Sequence, residues 1–295
     1  MTEVYEGIFP AIVTAYNSDG QVDSVVQKQV ARWLLDRGCK GFFVCGGTGE
    51  GLLLHEDERK AVLEAVMEEV GGEATIIAHI GSTSPLEAYR LAEHAAALDV
   101  DAIAAIPGSY FVPEADELVA HYTALAEIAQ RPTMLYHIPV RTGLGLDLAT
   151  IDRLAQIRYV AGLKYTDHNL YLMEQMRRDQ GDDFIILSGS DEMMIPAQLM
   201  GATGAVGTWY NLLPEVFVNA FNARSRGDWE TAVEYQKRGN AAIRWGIRLG
   251  GLGLVKQAMQ AIGFAIGDAR MPVKRVDDAN VNEFVNWLRA EGYVD

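Results

Sequence analysis

Lys164 stands where a charged side chain is costly. It interrupts the run Val160-Ala161-Gly162-Leu163-Lys164-Tyr165-Thr166, which otherwise reads as a strand buried on both faces. Burial disfavours an ammonium and leaves a neutral amine, the nucleophile that Schiff-base formation with a carbonyl requires. Spacing alone leaves a second reading equally open, in which the stem lines the strand and the head reaches a carboxylate at its end. Tyr136 closes the preceding strand candidate at a comparable height. Its phenol could give and take a proton beside the amine, although a core aromatic with a satisfied hydroxyl is the commoner fate of a strand tyrosine.

The segment Gly46-Gly47-Thr48-Gly49-Glu50-Gly51 follows another strand candidate. It could offer backbone N–H groups and the Thr48 hydroxyl to a carboxylate, or be merely a tight turn. It is no dinucleotide fingerprint, because Leu52 occupies the third glycine position counted from Gly47, and Lys60 lies too far away for a phosphate-binding loop. The six histidines form no HxH or HExxH pattern, so no catalytic metal is expected, and His79 and His137 read as hydrogen-bonded core residues. Cys39 and Cys45 match no zinc or redox spacing and are expected to be reduced, with Cys45 packed inside.

These side chains need a scaffold that brings several strand ends to one rim. Eight strand candidates start at Gly7, Gly41, Thr75, Ala102, Thr133, Val160, Asp183 and Gly204, separated by helical stretches such as EDERKAVLEAVMEEV and PEADELVAHYTALAEIA. Nearly continuous apolar strands alternating with helices predict a parallel α/β sheet, and eight such units close into a TIM (β/α)8 barrel. From Pro214 the pattern is helical throughout, so the predicted organisation is a barrel over 1–213 and a C-terminal helical extension over 214–295, packed on the barrel because no Pro/Ser-rich linker separates them. In such a barrel the chemistry sits at the C-terminal strand ends. There the second, fifth, sixth and seventh strands deliver GGTGEG, YHIP, KYT and SGSDE.

The 295 residues carry 25 Lys and Arg against 40 Asp and Glu, a net charge of -15, which argues against nucleic-acid or anionic-membrane partners and leaves small molecules or proteins. The opening MTEVYEGIFP lacks the basic stretch of a signal peptide, and no apolar run approaches membrane-spanning length, so a soluble, cytoplasmic protein is expected.

In order and spacing, GGTGEG, YHIPVRTG, GLKYTD and LSGSDE resemble the pyruvate-dependent class I aldolases of the N-acetylneuraminate lyase and dihydrodipicolinate synthase family over almost the whole chain. The resemblance implies a barrel with a C-terminal helical extension, a homotetramer and no cofactor. It makes Lys164 the Schiff-base lysine and Tyr136 the proton shuttle. The substrate-binding residues it implies are Gly47, Thr48, Tyr110, Arg141, Thr166, Gly189, Asp191, Glu192, Val206 and Thr208, with Thr48 holding the pyruvate carboxylate and Tyr110 reaching across a subunit interface. One departure is Gly47, where the family usually has Ser or Thr, so a relay hydroxyl is missing and space is gained. Asp191, Glu192 and Thr208 look like the lyase branch, which implies cleavage of N-acetylneuraminate or a related 2-keto-3-deoxy sugar acid to pyruvate and an aldehyde. Arg141 stands where the synthase pattern binds an acceptor carboxylate, or else pairs with Asp147 or solvent. Condensation of pyruvate with aspartate semialdehyde, dehydration of a 2-keto-3-deoxy acid, and a non-catalytic keto-acid-binding barrel are the alternatives.

Overall fold

In the computed structural model, which describes residues 2–294, eight strands form one parallel sheet. They are β1 (Ile8–Pro10), β2 (Gly41–Val44), β3 (Thr75–His79), β4 (Ala102–Ala105), β5 (Thr133–His137), β6 (Val160–Tyr165), β7 (Ile185–Ser188) and β8 (Gly204–Gly207). Parallel ladders run from β2 in sequence order to β8, and β8 pairs with β1. A single parallel bridge between Ala11 and Phe43 closes the ring, and the Ile12 N–H donates to the Phe43 carbonyl at 3.1 Å. This is the TIM barrel expected from the apolar strand pattern, and each strand falls on its candidate segment.

The two-residue period of a strand divides the side chains between two cores. Phe9, Phe43, Ile77, Ala104, Met134, Tyr136, Leu187 and Val206 pack together inside the barrel, whereas Phe42, Val44, Ile76, Ile103, Leu135 and Ile186 join the larger core beneath the helices. Residues at the C-terminal strand ends that share the inward phase of Tyr136 therefore meet at the mouth.

The outer layer comprises α1 (Ser24–Asp36), α2 (Glu56–Val70), α3 (Pro85–Ala97), α4 (Ala115–Ala129), the single turn α5 (Pro139–Thr142), α6 (Leu148–Ala155), α7 (Leu170–Gln180) and α8 (Met194–Leu199). Their starts are fixed locally. Asp23 accepts from the Val25 and Val26 N–H groups ahead of α1, Asn169 caps α7, and Pro85 occupies the first turn of α3, where a missing N–H costs nothing.

The segment after residue 213 begins with α9 (Pro214–Ser225), which follows β8 and packs against β1, filling the eighth outer position. Then come α10 (Trp229–Leu249), α11 (Leu252–Ala261) and α12 (Asp278–Ala290). Trp245, Phe284 and Trp287 form an aromatic cluster, with Trp245 and Phe284 centroids 5.7 Å apart. Trp209, just beyond β8, meets Phe284 edge-on at 6.1 Å and so anchors the extension to the strand ends. Among the described residues no helix is long and apolar enough to cross a membrane.

Candidate active site

The parallel register of β5 and β6 sets Tyr136 opposite Lys164, both in the inward phase. The Lys164 Nζ donates to the Tyr136 hydroxyl at 2.9 Å, and each residue is only 4% exposed. The amine lies 4.3 Å from the Phe43 ring centroid and 4.2 Å from that of Tyr136, and these two rings meet edge-to-face at 5.5 Å. Among the described residues, no carboxylate forms an ion pair with Lys164. The reading in which its head reaches a rim carboxylate therefore fails, because the geometry gives the amine a phenol and two aromatic walls instead.

Beyond β2 the chain turns through Cys45, at φ 57°, into the glycine-rich loop. Close packing dictates three of its glycines. A Cβ at Gly51 would lie 1.8 Å from the Cys45 carbonyl oxygen, one at Gly49 2.8 Å from that of Ile12, and one at Gly46 2.7 Å from the Phe43 ring. At Gly47 a Cβ would meet nothing within 4 Å. Gly47, where the resemblance leads one to expect Ser or Thr, is thus a position where neither space nor backbone demands glycine. The loop brings the Thr48 Oγ1 to 2.6 Å from the Thr208 Oγ1 beyond β8.

At the ends of β6 and β7, the Thr166 Oγ1 is buried and, among the described residues, has no hydrogen-bond partner. A Cβ at Gly189 would lie 1.9 Å from that oxygen and 3.2 Å from the Lys164 Cε, so glycine there leaves room for both side chains. Asp191 is buried, and its Oδ2 accepts the Trp209 N–H at 2.8 Å. Burial pushes its carboxyl up to about 7; the Trp209 N–H opposes the rise and the nearby Glu192 charge reinforces it. The Glu192 Oε1 lies 2.8 Å from the His168 Nε2. Helix α10 supports this turn from outside the barrel, since Gln236 donates to the Asp191 carbonyl at 3.0 Å and Asn240 to the Glu192 carbonyl at 3.2 Å. Phe43, His168, Trp209, Gln236 and Asn240 were not singled out from the sequence, and only the apolar stretch around Phe43 hinted at a wall of the site.

One mouth thus gathers a glycine loop carrying a hydroxyl, an amine on a phenol, and a buried carboxyl. The sequence model of the dihydrodipicolinate synthetase family matches residues 4–291. The chain belongs to this family. An N-acetylneuraminate lyase of Rhizobium meliloti (strain 1021) is 32% identical over 276 residues, covering 94% of this chain and 92% of that one. A 4-hydroxy-tetrahydrodipicolinate synthase of Methanosarcina mazei is 30% identical over 293 residues, covering 99% and 100%. The solved wild-type sialic acid aldolase of Ruminococcus gnavus superposes with a TM-score of 0.95 at 26% identity, covering 99% of this chain and all of that one. As a member of the dihydrodipicolinate synthetase family, the chain is a carbon–carbon lyase of the class I aldolase type.

The remaining family positions are spread more widely. Val206 is fully buried in the interior cluster that also holds Tyr136, as part of the barrel wall. Arg141 is exposed on α5 and, among the described residues, forms no ion pair; Asp147 instead caps α6 by accepting the Thr150 N–H at 2.8 Å. Tyr110 is 92% exposed on the loop before α4, edge-on to Phe111 at 5.2 Å. His79 and His137 are buried and hydrogen-bonded, to the Cys45 carbonyl at 3.0 Å and to Asp167 at 3.3 Å. Burial holds His79 well below the usual imidazole range, so its Nδ1 carries the proton given to the carbonyl, while its Nε2 has no partner among the described residues. Among the described residues, no three His, Cys, Asp or Glu side chains are grouped to hold a metal ion.

Proposed function

We propose that the protein is a retro-aldol lyase that cleaves N-acetylneuraminate, or a related 2-keto-3-deoxy sugar acid, to pyruvate and an aldehyde. The observation that carries this reading is the 2.9 Å contact between the Lys164 amine and the Tyr136 phenol at the closed end of the mouth. In this mechanism Nζ adds to the C2 carbonyl and the Tyr136 phenol gives its proton to the departing oxygen, which leaves as water, so that a protonated imine stands beside a phenolate. Tyr136 takes the proton of the C4 hydroxyl as the C3–C4 bond breaks; its electron pair flows into the imine, forming an enamine and releasing the aldehyde. Protonation of C3 and hydrolysis then free pyruvate and the lysine. In this reading Thr48 and the loop amides bind the keto-acid carboxylate, Thr166 lies beside the imine, and Gly189, Asp191, Glu192 and Thr208 meet the hydroxylated acceptor chain. The names of the Rhizobium and Ruminococcus relatives support the sialic-acid version.

A specific observation favours a second reading. Arg141 is exposed and, among the described residues, free of ion pairs, which suits an acidic acceptor such as aspartate semialdehyde in a condensation with pyruvate. The open space at Gly47 likewise keeps dehydration of a 2-keto-3-deoxy acid on the test panel. We also propose a cytoplasmic homotetramer, with Tyr110 contributed across an interface.

Borohydride reduction with pyruvate, followed by peptide mass analysis, tests the shared intermediate, and coupled detection of pyruvate from a panel of sugar acids identifies the substrate. The expected result is one adduct, on Lys164, absent in Lys164→Ala. Tyr136→Phe should keep the adduct but lower kcat by about 10²- to 10⁴-fold, the usual worth of a positioned acid–base group. No adduct on the wild-type protein would reject the mechanism, and no pyruvate from N-acetylneuraminate at high enzyme concentration would remove the sialic-acid version.

A further inference from the structure

Glu50, inside the glycine-rich loop, has a buried carboxylate, and its partner comes from the far end of the chain. The Lys256 Nζ on α11 lies 2.8 Å from the Glu50 Oε1, and both side chains are 0% exposed. The ammonium also donates to the Thr14 carbonyl at 2.9 Å and the Asp268 carbonyl at 3.2 Å, which uses all three of its protons. The Glu50 Oε2 accepts the Arg270 N–H at 2.6 Å. Lys256 sits 4.2 Å from the Tyr16 ring centroid, which lies 4.5 Å from the Arg270 guanidinium.

A buried ion pair is weak as a source of stability, because desolvation offsets most of the attraction; what a fully hydrogen-bonded pair can do is fix one geometry. The geometry fixed here is that of the loop carrying Thr48. Glu50 is held at φ 57°, a left-handed conformation that a non-glycine residue adopts only when its surroundings enforce it. Between Thr48 and Glu50, the Thr14 hydroxyl donates to the Gly49 carbonyl at 2.6 Å, a second hold on the same stretch. The loop is therefore clamped between the β1 end and the C-terminal extension, and Thr48 meets Thr208 at the free edge of that clamp.

We propose that Lys256 and Glu50 are positioning residues for the keto-acid carboxylate, through which the C-terminal extension holds the Thr48 loop in its binding conformation. This rests on the reading of Lys164 and Thr48 given above. It explains why a charged pair is kept fully buried, and it makes the extension part of the binding site.

The test measures the pyruvate dependence of borohydride labelling of Lys164 in the full-length protein, beside thermal melting. Glu50→Gln removes the charge with little change of shape, Lys256→Met removes the ammonium, and Thr14→Val removes the second clamp without altering charge. The half-saturating pyruvate concentration should rise about ten-fold or more in Glu50→Gln and Lys256→Met and about three-fold in Thr14→Val, with the labelling limit reached in every case. KM for the cleaved sugar acid should rise in step and kcat should fall much less. Should Lys256→Met not fold, the two milder variants carry the same expectation. Variants that melt earlier yet label at the wild-type pyruvate concentration would mean that the pair serves stability alone, and would overturn the proposal. A wild-type protein that pyruvate does not label at all would instead reject the underlying mechanism, before any variant is compared.

Discussion

Asp191 carries a charge problem that its neighbours solve only in part. Its carboxyl accepts the Trp209 N–H, but burial beside Glu192 raises its titration from the ordinary 3.8 to about 7. The folded protein therefore binds a proton there that the unfolded chain has already released. The favourable contribution is fully present below about pH 4, fades as the pH rises, and is gone above about pH 7, a swing of about 4 kcal/mol. Asp191→Asn removes the titration while keeping an oxygen for the Trp209 N–H. Its stability relative to wild type should be lowest near pH 4 and should climb through pH 7, read from urea unfolding at a series of pH values. A difference that stays flat with pH would show that Asp191 titrates normally in the fold. The sequence made Asp191 a candidate through its place at a strand end, whereas its depth of burial depends on Trp209 and α10, which local pattern does not reveal.

The glycine-rich loop combines packing necessity with functional choice, and the two are separable. Gly46, Gly49 and Gly51 lie where a side chain would strike Phe43, the Ile12 carbonyl beyond β1 or the loop itself, whereas Gly47 faces open space. Gly47→Ser should therefore fold and melt within about 0.5 kcal/mol of wild type, as surface substitutions usually do, and should change the ranking of sugar acids by kcat/KM. Gly51→Ala places a methyl group 1.8 Å from the Cys45 carbonyl oxygen and should lower stability by several kcal/mol, or about 1–3 if the loop shifts. Equal melting of the two variants would show that the loop is looser than its contacts imply. Elements of this kind were legible because they announce themselves locally. The eight strands are runs of apolar residues buried on both sides, and Lys164 was conspicuous because it breaks one of them. The clamp on the loop was not legible, since Glu50 and Lys256 stand 206 residues apart and each alone reads as an ordinary charged residue on a helical or loop surface.

At the scale of the whole molecule, two surface features oppose each other. A net charge of -15 makes identical chains repel, while Tyr110, Phe111 and Val112 expose 92%, 82% and 60% of their surface on the single loop before α4. Adjacent large apolar side chains exposed on a loop mark a surface that another molecule covers, and in the tetramer we propose that molecule is a second copy. Repulsion between copies is screened within about 8 Å at 0.15 M ionic strength but reaches about 30 Å at 0.01 M, so assembly should be complete in physiological salt and weaken as salt is removed. Light scattering across that range should show a tetramer giving way to smaller species. Phe111→Glu, which adds charge and removes apolar area at the contact, should favour the smaller species even at 0.15 M. If Tyr110 completes a neighbouring site, catalysis must follow assembly. Tyr110→Phe should then leave the mass of the assembly unchanged while lowering kcat, and Phe111→Glu should lower kcat in proportion to the subunits released. A wild-type monomer with full activity would sever that link, leaving the exposed loop without a catalytic role and the barrel mouth complete within one chain.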